Sequence, residues 1–247
     1  MGSPSEICVY CAAAEGTTRD HVLARGFFPL DKRAGIPVVP ACATCNNLKA
    51  ALEHYATAVV PFGATHTGSG EVLSKLVPAR LANNLKLARS LADGKGYSFV
   101  SNNYGATWDT AMSLPLEGET INALFHMIAR GLAYAEYGVL LPDAECVVHA
   151  GFLVGPGRRA FDALHAQRGD RTGTKNLGGG IFVYDGVQSW ESPQLTVWRM
   201  SLCGISVSNH QQAPGERVEG VHAITAPRRM AAAGRLVEFL RAQAAAA

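Results

Sequence analysis

Residues 8–11 read Cys8-Val9-Tyr10-Cys11, and residues 42–45 read Cys42-Ala43-Thr44-Cys45. Each pair has the Cys-x-x-Cys spacing, and the two pairs are thirty residues apart. Two such pairs bring four thiolates together as a tetrahedral cage, and zinc prefers soft sulfur ligands. We therefore expect Cys8, Cys11, Cys42 and Cys45 to bind a structural Zn²⁺.

Other uses of these cysteines fit the pattern less well. Two disulfides would need an oxidising compartment, which nothing in the sequence suggests. A redox Cys-x-x-Cys motif would occur once, beside a strand–helix unit, and not twice. The remaining Cys146 and Cys203 lie in apolar, strand-like runs. We interpret them as buried, unreactive thiols.

The segment between and after the two pairs has a simple predicted order. Asp20 and His21 precede the apolar Val22, which indicates a first strand, and residues 36–40 form a short apolar run that indicates a second. Leu48, Leu52 and Tyr55 then recur at helical spacing, which predicts a helix that begins at or just after Cys45. The prediction is a cysteine pair, two strands, a second cysteine pair and a helix.

This order brings together residue types that suit phosphodiester hydrolysis. A carboxylate at Asp20 and an amide at Asn46 offer the oxygen ligands that a hard cation such as Mg²⁺ takes. The imidazole of His21 can remove a proton from water, because its unperturbed pKa lies near physiological pH.

At this point the sequence resembles the HNH endonuclease family in its four-cysteine form. The matching pieces are Cys8-x-x-Cys11, Asp20-His21-Val22 and Val39-Pro40-Ala41-Cys42-x-x-Cys45-Asn46-x-x-Lys49, over about residues 6–58. The resemblance implies a ββα-metal fold with His21 as general base. It also implies that Asp20 and Asn46 hold a catalytic Mg²⁺ or Mn²⁺, that Lys49 and Arg19 are candidates for phosphate contact, and that double-stranded DNA is the substrate.

One position departs from the family pattern. The family usually has an asparagine about five residues before the third cysteine, where it orients the catalytic histidine, and Pro37 stands there in this chain. Proline has no side-chain amide and no backbone N–H. One alternative is that another group orients His21, and Asn47 is a candidate for it. A second is that a backbone partner alone orients His21, and a third is that the site is weakened.

Composition sets limits on partners and location. The chain has 247 residues, 48% hydrophobic and 17% charged, with a formal net charge of +2. Because the net charge is small, DNA contact must come from local patches. Residues 156–176 and 216–241 are rich in arginine, although solvated faces explain both stretches more simply.

No apolar run reaches the roughly 20 residues of a membrane span, and the polar start shows no secretory signal. We expect a cytoplasmic protein without membrane contact.

Residues 61–247 carry no motif for a known chemistry, and we expect them to form a domain separate from residues 1–60. Periodicity and breakers predict helices at 78–93, 120–137, 157–167 and 227–241, with His126, Arg130 and Tyr134 on the surface of the second. Strands are predicted at 146–154, 180–185, 194–208 with a bend at Gly204, and 220–225. This irregular order favours an α+β fold with an antiparallel sheet.

Three functions remain open from the sequence. The first is a metal-dependent HNH-type endonuclease, in which residues 61–247 select DNA, bind a partner or form a homodimer. The second is a non-catalytic zinc-finger module that binds nucleic acid or protein. The third is an enzyme of another class whose site lies in the C-terminal part; the absence of a glycine-rich phosphate loop there counts against it.

Overall fold

The computed structural model describes residues 6–101, 108–153, 155–166, 171–208 and 217–232. Its N-terminal part is an antiparallel pair of strands, β1 (Thr18–His21) and β2 (Val38–Ala41), followed by helix α1 (Ala43–Val59). The strand–strand–helix order of the prediction is confirmed. The helix begins earlier than predicted because Cys42 is its N-cap, with Sγ accepting a hydrogen bond from the backbone N–H of Cys45 at 3.4 Å.

Three short helices follow: α2 (Thr67–Lys75), α3 (Val77–Ala82) and α4 (Leu85–Asp93). The single helix predicted at 78–93 is therefore wrong. The chain breaks at Asn83–Asn84, where the Asn84 side chain caps α4 by accepting a hydrogen bond from Leu87 N–H at 3.0 Å. A strand pair that the sequence did not predict comes next, β3 (Gly96–Ser101) with β4 (Trp108–Ser113).

The central helix is α5 (Gly118–Tyr137), close to the predicted 120–137, and it ends at Gly138 with φ +71°. The left-handed conformation favours glycine at this position. One expectation for this helix is wrong. Arg130 is buried rather than on the surface, because its guanidinium binds the carboxylate of Asp143 and the carbonyl of Leu141.

The largest sheet is antiparallel, as predicted, and has five strands in the order β5-β11-β8-β7-β6. Its strands are β5 (Cys146–Gly151), β6 (Arg171–Leu177), β7 (Phe182–Gln188), β8 (Thr196–Leu202) and β11 (Val221–Pro227). A small pair, β9 (Ser206–Ser208) and β10 (Arg217–Glu219), lies beyond β8. The predicted strand 194–208 bends where expected, since Cys203 and Gly204 have φ +56° and +66°.

Two further helices accompany this sheet, α6 (Gly155–Ala166) and α7 (Arg228–Ala232). The predicted helix 227–241 is thus observed at its start, and residues 233–241 lie outside the described part. In the described residues, no helix combines the length and apolar character of a membrane span.

The sheet has two different faces. On one face Trp198 packs against Tyr137 of α5, with ring centroids 5.4 Å apart, and on the other Phe161 of α6 packs with Val197. The main apolar core also includes residues of β2 and α1 and Val22 directly after β1, so it is continuous across residue 60. The domain boundary that we expect between residues 1–60 and 61–247 stays a prediction.

Candidate metal centre and adjoining strand pair

Four cysteines meet where the first turn of the chain approaches the start of α1. The sulfur atoms of Cys8, Cys11, Cys42 and Cys45 all lie within 4.8 Å of one another, and none is in a disulfide. A tetrahedral zinc with Zn–S bonds of about 2.3 Å needs sulfurs about 3.8 Å apart. The four side chains therefore have the right chemistry and proximity to hold a metal ion such as zinc.

Backbone hydrogen bonds fold the first cysteine pair into a turn. Cys8 N–H donates to the Ala14 carbonyl and Ala12 N–H donates to the Cys8 carbonyl, both at 2.8 Å, while Ala12 adopts a left-handed φ of +52°. Val9 N–H donates to the Pro40 carbonyl at 3.0 Å, which fastens this turn to β2. The two cysteine pairs are thus held by hydrogen bonds between the turn and the strand that leads into α1.

The thiols differ in their acidity. Burial raises the pKa of Cys8, and burial with the neighbouring thiol of Cys42 raises the pKa of Cys45. Burial also acts to raise the pKa of Cys11, but hydrogen bonds from the backbone N–H groups of Ala14 and Ala13 outweigh it and lower the value to about 7. A cation bound among these thiols would favour the thiolate form of all four.

Asp20 points from β1 toward α1 and is nearly enclosed. Its Oδ2 accepts a hydrogen bond from Tyr10 Oη at 2.5 Å and lies 3.0 Å from Lys49 Nζ. Burial, followed by the charge of Asp20, raises the pKa of Tyr10, so the tyrosine stays a hydrogen-bond donor. Asp20 Oδ1 makes no hydrogen bond to any residue of the described part.

Lys49 is the centre of this cluster. Its side chain has no solvent exposure, and Nζ contacts Asp20, donates to the His21 carbonyl at 2.7 Å and forms an ion pair with Glu53 one helical turn away. Burial raises the pKa of Glu53, although Lys49 acts against that shift. Lys49 is therefore not on the helix surface, because it faces the two carboxylates.

Asn46 lies one turn before Lys49 on the same side of α1. Its Nδ2 donates to Thr18 Oγ1 at 3.1 Å, and Thr18 Oγ1 donates to the Ala41 carbonyl at 2.8 Å. Side chains two residues apart on a strand share a face, so Thr18 and Asp20 both point toward α1. Asn46 therefore contacts Thr18 directly, and Lys49 is the residue of α1 that contacts Asp20.

His21 ends β1, and by strand alternation its side chain leaves the face that Asp20 occupies. The ring is partly exposed and makes no hydrogen bond within the described residues. Burial, followed by the charge of Arg25, lowers the pKa of His21, which keeps the imidazole neutral near pH 7. A neutral imidazole is the form that accepts a proton.

Pro37 and Asn47 contribute to this region in different ways. The Pro37 carbonyl accepts a hydrogen bond from Val22 N–H at 2.8 Å, directly after His21, so Pro37 supports the backbone of the strand pair. Asn47 is exposed on α1 and makes no hydrogen bond to His21. The backbone, rather than the side chain of Asn47, is what holds the end of β1.

The predicted phosphate-contact residues occupy contrasting positions. Arg19 lies on the outer face of β1 with 60% of its side chain exposed, in an ion pair with Glu6. Lys49 is buried, so phosphate contact by Lys49 would require it to leave Asp20 and Glu53. Both contacts stay predictions, and exposure favours Arg19.

Sequence reasoning missed Tyr10 and Glu53 as partners of the Asp20–Lys49 pair. A signal for Glu53 was present, because Lys49 and Glu53 are four residues apart on a helix. Tyr10 lies between Cys8 and Cys11, and nothing in the neighbouring sequence indicates which residue its hydroxyl contacts.

Compared with known proteins, the chain matches no family model, no curated protein and no solved structure. Any assignment of function therefore rests on its own residues.

Proposed function

We propose that this chain is a metal-dependent endonuclease of the HNH type that hydrolyses phosphodiester bonds of double-stranded DNA. The four cysteines bind a structural Zn²⁺ that fixes the strand pair β1–β2 to the start of α1. The observation that carries the proposal is the pair of oxygens Asp20 Oδ1 and Asn46 Oδ1, which make no hydrogen bond in the described part and belong to the facing elements β1 and α1.

Each residue has a separate task in the proposed reaction. Asp20 and Asn46 would hold Mg²⁺ or Mn²⁺, which would supply positive charge to offset the charge of the phosphate and the leaving oxygen. His21 takes a proton from a water molecule, and the water oxygen then forms a bond to phosphorus. The bond from phosphorus to the leaving sugar oxygen breaks, and that oxygen takes up a proton from solvent.

The buried cluster supports this arrangement by fixing Asp20. Because Tyr10 and Lys49 both bind Oδ2, the carboxylate is held in one orientation with Oδ1 available to a cation. Positioning of this kind contributes strongly to the rate of catalysed reactions. Lys49 also binds the His21 carbonyl and so orders the Asp20–His21 dipeptide.

The test is plasmid cleavage by protein that carries one zinc per chain, checked by elemental analysis. Cleavage is measured with added Mg²⁺ or Mn²⁺ and without either, which separates the catalytic cation from the structural zinc in a way that EDTA alone does not. We expect cation-dependent nicking that His21→Ala abolishes. His54→Ala, which removes an exposed histidine of α1, is the matched control and should cleave normally.

A second candidate function is a zinc-binding module without catalytic activity that binds nucleic acid or protein. Two observations favour it: Lys49 already neutralises Asp20, and Pro37 supplies no side-chain amide near His21. Zinc-loaded protein that cleaves no DNA with either cation, while retaining its fold, would favour this function. Self-association through residues 61–247 is a further prediction, which the mass of the particle in solution tests.

A further inference from the structure

A row of polar residues crosses the five-stranded sheet on the face that α6 covers. In register across the strands lie Thr174 on β6, Asp185 on β7, Arg199 on β8 and His222 on β11. The opposite face of the same strands is apolar and packs on α5. Polar side chains in such a row, on a face that a helix partly covers, call for a chemical explanation.

Helix α6 adds two more charges to this row. Asp162 Oδ1 accepts a hydrogen bond from Arg199 Nη2 at 2.5 Å, and Asp162 Oδ2 lies 3.8 Å from Arg158 Nε. Two guanidinium groups thus share the Asp162 carboxylate, and Asp185, the register partner of Arg199 on β7, is a second carboxylate beside them. Both arginine side chains are more than 40% exposed, and each guanidinium has five N–H donors, so donors remain for another anion.

A cavity of about 360 Å³ opens beside these groups. Its wall includes Arg158, Asp185, Arg199, Ser201 and His222. Its volume falls at the lower end of the range for sites that bind small organic molecules.

His222 supplies an independent sign of a ligand. It is 6% exposed, lines the cavity, and its Nδ1 has no hydrogen-bond partner within the described residues. Burial lowers the pKa of His222 to about 4, with the nearby charges of Asp162, Arg158 and Arg199 as smaller influences. The ring is therefore neutral near pH 7, and a buried polar atom of this kind costs free energy unless something binds it.

We propose that this cavity binds a small phosphate monoester with a hydroxyl-bearing organic part, such as a sugar phosphate. The phosphate oxygens bind Arg158 and Arg199, because the planar guanidinium fork matches phosphate geometry and both groups have more N–H donors than their contacts with Asp162 use. A ligand hydroxyl binds His222 Nδ1, with Ser201 and Asp185 as further polar contacts. The site is distinct from the cysteine cluster, and the proposal does not depend on nuclease activity.

Calorimetric titration of the full chain with ribose 5-phosphate, inorganic phosphate and ribose at matched ionic strength tests the proposal. We expect saturable binding of ribose 5-phosphate, weaker binding of inorganic phosphate and none of ribose. Arg158→Gln and Arg199→Gln should each weaken ribose 5-phosphate binding about tenfold or more. Arg159→Gln is the matched control, since it removes the same charge from an exposed neighbour on α6 and should leave binding unchanged.

An NMR measurement distinguishes ligand binding at this site from nonspecific electrostatic binding elsewhere on the protein. The ring nitrogens of His222, observed by NMR, should shift on addition of ribose 5-phosphate, and this shift should be lost in Arg158→Gln. Arg158 lies on a helix and approaches Asp162 only to 3.8 Å, so this variant keeps the test decisive if Arg199→Gln unfolds. The proposal is overturned if the wild type shows no saturable binding at millimolar ligand, or if Arg159→Gln weakens binding as much as Arg158→Gln. Binding of DNA alone, without small phosphates, overturns it as well.

Discussion

Two of the charged clusters in the described part of the chain are built in opposite ways. In the N-terminal part, Lys49 has no exposure and its partners Asp20 and Glu53 expose 11% and 15% of their side chains. On the sheet, Arg158, Arg199 and Asp162 expose 43%, 44% and 38%. The first cluster is closed and fixes the orientation of its members, whereas the second is open and retains donors for a ligand.

The difference has an energetic meaning. A buried charge depends on every partner, because removal of one leaves the others uncompensated in a medium that solvates them poorly. Exposed pairs are screened by water and contribute little to stability. We therefore expect changes in the closed cluster to act on folding, and changes in the open cluster to act on binding.

The largest effect should follow from loss of the metal that we expect at the cysteines. Structural zinc contributes on the order of 10 kcal/mol in small zinc modules, so Cys42→Ser should unfold the closed cluster. Hydrogen exchange should accelerate strongly in β1 and β2 and much less in β7 and β8. Cys146→Ser, a thiol outside the cluster, is the control. Equal protection of β1 in wild type and Cys42→Ser would contradict a structural role for the metal.

A smaller but still large effect is expected from Lys49→Met. The substitution keeps much of the side-chain volume and leaves Asp20 and Glu53 without their cation, which should lower the free energy of unfolding by about 3–5 kcal/mol. Arg199→Gln removes a charge from the open cluster and should cost less than about 1 kcal/mol. Denaturant unfolding measures both. Equal losses in the two variants would remove the distinction between closed and open clusters.

The smallest effect concerns pH. The pKa of His222 is lowered to about 4 in the folded chain, whereas an unfolded histidine titrates near 6.5, so the unfolded chain takes up the proton first. The stabilising contribution is therefore complete above about pH 6.5 and is lost as pH falls toward 4, up to about 3 kcal/mol. Thermal unfolding of His222→Gln should depend less on pH in this interval. An unchanged dependence would show that His222 is not the titrating group.

The amount of structure that the sequence alone predicts differs between the two regions. Cysteine spacing and apolar periodicity predicted the strand–strand–helix order, and the wide apolar stripe of α5 predicted that helix to within two residues. Both signals come from residues that are close together in the sequence. The predicted elements form because tertiary packing buries the same apolar residues that the patterns indicated.

Contacts across long stretches of chain were not predictable. Lys49 meets Asp20 only because β1 and α1 pack together, and a single lysine on a helix gives no sign of that. Strand β6 was missed because only Gly173 and Leu177 of its seven residues are buried, which leaves an edge strand without apolar alternation. The polar row on the sheet depends on strand register, which no local pattern gave.

The most direct test of the central claim is Mn²⁺ binding to zinc-loaded protein, followed by electron paramagnetic resonance. We expect one Mn²⁺ per chain, with affinity reduced at least about tenfold in Asp20→Asn, which removes the negative charge of the ligand, and in Asn46→Ala, which removes an oxygen ligand. Asn47→Ala, an exposed neighbour on α1, should bind as the wild type does. If Mn²⁺ does not bind, or if Asn46→Ala binds it as tightly as Asn47→Ala, then Asp20 and Asn46 do not form a cation site and the nuclease proposal fails.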